Sequence, residues 1–147
     1  MKQKLQEQIA HILQTKISEL NKDIEQAQRS ANEETKSSAG DKYETGRAMA
    51  HNTIAMYQNQ MTQFLADKQL FDSINFEQHS DKITNGSLVN TSIGLLFFAI
   101  SVGKQVVDGQ SIQTLSMGSP LGKELYLKQK GDSVMLNGKK ISVLELG

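Results

Sequence analysis

Apolar and small residues recur in the first third of the chain at Leu13, Ile17, Leu20, Ile24, Ala27 and Ala31, at steps of four, three, four, three and four. Such steps are the heptad seam of a helix packed against another helix, and the seam begins upstream near Leu5 and Ile9. A second seam runs through Ala50, Ile54, Tyr57, Met61 and Phe64; Phe71 follows one heptad after Phe64, and Lys68 takes the seam position between them. Each seam predicts a long helix. The stretch Ser37-Ser38-Ala39-Gly40-Asp41 between them is built of small residues that can reverse a chain. Two arrangements satisfy both seams: an antiparallel helical hairpin, or a parallel homodimeric coiled coil with both seams on one rod. Gly40 and Gly46 favour the hairpin, because a glycine inside a continuous helix costs about 1 kcal/mol. An arm of roughly 34 residues would be about 50 Å long.

The pattern changes near Ile83. Of the 11 glycines only Gly40 and Gly46 precede residue 83, so the second half is turn-rich. Leu88 to Ser92, Gly94 to Val102 and Ser111 to Ser116 predict strands. A short helix then starts with Ser119 as N-cap and Pro120 in its first turn. Ser133 to Leu136 and Lys140 to Leu146 predict a hairpin joined by Asn137-Gly138, a pair suited to a type I′ turn. The fold class is therefore α+β: a helical hairpin over residues 1–80 with its tip near 37–46, then a small globular domain over 83–147 with four or five strands and one short helix.

Composition narrows the function classes. Sixteen lysines and arginines balance sixteen aspartates and glutamates, which argues against a non-specific polyanion binder. From residue 83 onward six lysines face four acids, an excess read as a solvated face. The absence of cysteine removes disulfides and thiol chemistry. The three histidines, His11, His51 and His79, are far apart in sequence and are assigned no metal. The longest apolar run, Ile93 to Ile100, falls short of the about 20 residues that cross a bilayer, and the first residues have no signal-peptide core. The expectation is a soluble, cytoplasmic protein with no membrane partner.

Neither a nucleophile–base pair nor a phosphate-binding glycine loop occurs in the chain, so chemistry rests on carboxylates. Gly40-Asp41-Lys42-Tyr43-Glu44 lies at the expected turn. Asp41 and Glu44, three apart, can form a capping box at the start of the second helix. Capping is the reading that spacing alone favours; the sharper one makes them hard oxygen ligands offered to a magnesium site completed by another macromolecule, since two acids at the end of an arm have no pocket of their own. Arg47 can pair with Glu44 along the helix, or with RNA phosphate or a protein partner.

The order of these parts resembles the bacterial Gre family of transcript cleavage factors. Gly40-Asp41-x-x-Glu44 is similar to the family's GDxxEN tip motif. The segment 116–146, SMGSPLGKELYLKQKGDSVMLNGKKISVLEL, is similar to its serine-proline, short helix, glycine-aspartate and terminal hairpin. The resemblance extends over essentially the whole chain. It implies an N-terminal antiparallel coiled-coil hairpin that enters the secondary channel of RNA polymerase, and an FKBP-like C-terminal domain without prolyl isomerase activity. It further implies that Asp41 and Glu44 are the tip acids that help hold a magnesium ion shared with the polymerase while a backtracked transcript is cleaved. Ser119, Pro120 and Leu121 become candidate contacts to the channel rim.

On this reading the chain is no enzyme itself and stimulates the polymerase's own nuclease. It holds no cofactor when free, takes no small-molecule substrate and meets nascent RNA only indirectly. The chain departs from the family pattern at Lys42, where an apolar residue is usual, and at Thr45-Gly46, where asparagine-alanine is usual. Related proteins of this architecture inhibit or tune transcription, so a channel-binding regulator without cleavage activity is the alternative. An interaction module with no polymerase partner is a third.

Overall fold

The computed structural model describes residues 1–36 and 40–147, with side chains described outside 34–47. It is an α+β protein. Helix α1 spans Lys2–Lys36 and α2 spans Gly40–Ser73; six strands and one short helix follow. The chain divides into two compact units, one comprising His11–Lys68 and the other comprising Met1–Ala10 with Gln69–Gly147.

In the unit His11–Lys68 the two seams are the protected faces of their helices. Leu13, Leu20 and Ala31 of α1 are buried, while Ile24 and Ala27 are half-buried. On α2, Ala50, Ile54, Tyr57, Met61 and Phe64 are half-buried, and most residues between them are exposed. Lys16 Nζ lies 5.7 Å from the centre of the Phe64 ring, and Asp23 to Ser30 border one depression together with Ala50 to Tyr57. Lys16 of α1 thus lies near Phe64 of α2, and the stretch from Asp23 to Ser30 near that from Ala50 to Tyr57. Burial of the seam supplies most of the stability of such a pair.

The other unit is built on a mixed sheet. Its strands are β1 (Leu88–Thr91), β2 (Gly94–Phe98), β3 (Lys104–Val107), β4 (Gln110–Leu115), β5 (Ser133–Leu136) and β6 (Lys139–Leu146), ordered β3-β4-β2-β1-β6-β5. β2 and β4 pair in parallel, and the other neighbours are antiparallel. Six strands exceed the four or five expected. The additional one is β3: the apolar run after Gly94 ends as a strand at Phe98 and continues as buried chain through Ala99 and Ile100. Gly103, at φ +84°, then turns the backbone into the sheet edge. Buried Thr114 fixes that turn: its hydroxyl donates to Gly103 O at 2.7 Å and accepts from Val102 N at 2.9 Å. The length of the apolar run reflects burial rather than pairing.

Residues of β2 alternate between the two sheet faces. Leu96 and Phe98 join Val89, Val143, Ile141 and Leu125 in one core. Short helix α3, Pro120–Leu125, lies on this side, with Leu121 packed against the cluster. Phe97 points to the opposite face, where its ring stacks on Phe76 at 5.7 Å, and Phe76 meets Phe71 at 5.1 Å. Against the same face Gln8 Nε2 donates to Gln105 Oε1 at 2.6 Å, and Leu5 and Ile9, one turn apart, are fully buried. The Asn137-Gly138 turn has φ +52° and +77°, as a type I′ turn requires.

No helix among the described residues is long and apolar enough to cross a membrane.

Candidate functional site

α2 begins at Gly40, which puts Asp41, Glu44 and Arg47 within its first turns. The side chains of these three, and hence the geometry of the expected tip acids, lie outside the described residues. Among the described residues no group of three or more histidines, aspartates and glutamates is placed to hold a metal ion. His11, His51 and His79 are each exposed.

The second candidate segment is fully described. Ser119 caps α3: its hydroxyl accepts from Gly122 N at 3.0 Å and donates to Ser116 O at 2.7 Å. Pro120 follows in the first turn, where its missing N–H costs nothing. Ser119 is half-buried and committed at both ends of its hydroxyl, and Leu121 is half-buried against the core. Of the three expected contact residues, only Pro120 presents an exposed side chain.

Two neighbours that the pattern does not single out extend this surface. Tyr126 is 51% exposed and Leu127 is 46% exposed. Leu127 adopts φ +63°, the left-handed conformation that commonly ends helices and normally belongs to glycine. Its N–H donates to Ile83 O at 2.9 Å, so the strained backbone ties the helix end to the chain entering the sheet. KELYLK carries no residue that marks a left-handed position, which is why the sequence does not reveal it. Leu127→Gly is expected to be ~1 kcal/mol more stable than Leu127→Ala, since both lose the same half-covered side chain and glycine alone escapes the left-handed penalty. Urea unfolding of Leu127→Gly beside Leu127→Ala checks this; equal or lower stability of the glycine variant would contradict it.

An ion pair links the start of α1 to the turn between β3 and β4. Lys4 Nζ binds Asp108 Oδ1 at 2.8 Å. That hydrogen bond, together with the mutual charge attraction, raises the lysine above its ordinary value and holds the carboxyl below its own. The carboxylate's contribution is present above the ordinary aspartate range and is lost as pH falls through its lowered value; the lysine's is lost as pH rises through its raised value. Both side chains are about half exposed or more, so solvent and salt screen the pair. Lys2 is shifted down by burial. Phe71 and Phe76 help to line an open groove of about 860 Å³ beside Lys2 and Glu7.

No protein-family model matches the chain, and no curated protein matches it significantly.

Proposed function

We propose that the chain is an RNA polymerase accessory factor of the Gre type, whose two long helices form a coiled-coil hairpin that enters the secondary channel. What supports the reading is the succession of parts within one chain. A helix of 35 residues is followed by one of 34 residues that opens with Gly40-Asp41-x-x-Glu44, and after them comes a small sheet domain with the capped Ser119-Pro120 helix and the Asn137-Gly138 hairpin. An FKBP-like arrangement of that domain is part of the proposal.

Asp41 and Glu44 stand three apart, the spacing at which helical neighbours share a face, and both are hard oxygen donors of the kind magnesium takes. In the polymerase they would help to hold a magnesium ion, which when bound activates water for phosphodiester cleavage. The chain's own part is delivery: a helical pair of this length carries two carboxylates about 50 Å from its base. Pro120, with Tyr126 and Leu127, would form the exposed surface of the sheet domain toward the channel rim.

Lys42 and Thr45-Gly46 favour a second reading. A cation beside the tip acids would weaken their hold on a metal, leaving a factor that occupies the channel and tunes transcription without stimulating cleavage. Transcript cleavage in stalled, backtracked complexes separates the two: acceleration supports the first, and binding without acceleration supports the second.

A further inference from the structure

Asp23 stands over a small pocket between α1 and α2, wholly within the unit His11–Lys68. Ala27 and Ala50 are the half-buried small residues at this level of the two seams; Tyr57, Thr53 and Ser30 also line the space, which measures about 310 Å³. Alanine at both positions, where most of the seam carries leucine, isoleucine or an aromatic residue, leaves the volume open. Among the described residues Asp23 is the single lining side chain that carries charge at neutral pH. Its helical neighbours at three and four positions, Glu19, Leu20, Gln26 and Ala27, include no cation. Among the described residues Asp23 makes no ion pair or hydrogen bond through its side chain. It is exposed and therefore well hydrated as long as nothing covers it.

We propose that this pocket receives the guanidinium of an arginine on the protein partner; the inference rests on the polymerase reading and places one anchor of that complex on the flank of the helical pair. Three features select an arginine. An unpaired carboxylate supplies the complementary charge and can accept two parallel N–H bonds. Half-buried Tyr57 lines the same pocket, and an aromatic ring favours a planar guanidinium over a lysine ammonium. The depression of about 310 Å³ gives one guanidinium and its stem room without displacing either helix. Covering Asp23 makes the pair an interface hot spot, because a buried charge that loses its partner is strongly penalised.

The test measures binding of core RNA polymerase, from the organism that encodes the chain, to the wild-type chain and to Asp23→Asn and Ala27→Leu. The leucine fills the pocket and improves seam packing, so its melting temperature should hold or rise. Both variants should raise Kd about tenfold or more with helix content unchanged. Wild-type affinity in both variants would overturn the inference while leaving the polymerase reading intact. If the wild-type chain binds no polymerase, that reading falls, and titration with N-acetyl-arginine amide decides the pocket by itself. Saturable shifts of the Tyr57 ring NMR signals that vanish in Asp23→Asn uphold an arginine pocket, and their absence refutes it.

Discussion

Gly122→Ala is expected to destabilise the sheet unit by about 3 kcal/mol, the upper end of what overpacking a tight contact costs. Helix propensity alone predicts the opposite sign, a gain of about 1 kcal/mol for alanine over glycine inside a helix. Sterics decide. A Cβ at Gly122 would overlap the Ser116 carbonyl oxygen and lie 2.9 Å from both Met117 Cα and Ser119 Oγ. Two of these three atoms are backbone and cannot rotate away. Making room for the Cβ would pull Ser119 from its cap and shift α3, whose Leu125 is fully buried. Gly118→Ala is the control, because its Cβ meets nothing nearer than Ser116 Oγ at 3.9 Å. That variant should stay within about 0.5 kcal/mol of wild type. Chemical denaturation of both variants measures the contrast, and equal stabilities would contradict the close approach of α3.

Phe97→Ala should cost about 3–5 kcal/mol, as expected for removing a fully buried aromatic ring. Phe97 is 0% exposed, and it is the sheet's side of the aromatic series that continues through Phe76 to Phe71. Its loss leaves a cavity on the face opposite the main core and removes the surface against which Phe76 is stacked. Phe97→Leu keeps most of the volume and should cost less than about 1.5 kcal/mol. Hydrogen exchange distinguishes this from general loosening, since the alanine variant should lose protection chiefly at Ile74 and Gln78, whose N–H groups bond to Phe71 O and Asn75 O. Unchanged protection there, with stability near wild type, would show that the aromatic series carries little of the fold.

Where local chemistry sets local structure, the residues were readable. The four–three spacing of Leu13, Ile17 and Leu20 matches the protected face of α1; Ser119 and Pro120 open α3; Asn137 and Gly138 take the two positive φ angles of their turn. β3 escaped because a four-residue edge strand opening with Lys104-Gln105 has too few apolar positions to show a period, although Asp108-Gly109 after it carries the same turn signal as Asn137-Gly138. The parallel pairing of β2 with β4 was not legible either, because register between distant strands depends on the whole sheet. Among the candidate functional residues, Asp41 and Glu44 were reached by spacing and resemblance. The Asp23 pocket was not reached, because it depends on Ala27 and Ala50 meeting across two helices. Leu127 shows a third kind of gap, a backbone conformation imposed on a residue that does not prefer it.

The central claim, that Asp41 and Glu44 are delivered to the polymerase, is tested most directly by transcript cleavage in stalled, backtracked elongation complexes with magnesium. The wild-type chain should accelerate release of short 3′ RNA fragments. Asp41→Ala combined with Glu44→Ala should return the rate to that of polymerase alone, while Kd for polymerase stays within about threefold, under 1 kcal/mol. Cleavage still accelerated by the double variant, or no acceleration by a wild-type chain shown to bind, would contradict the claim and return the two acids to capping the start of α2.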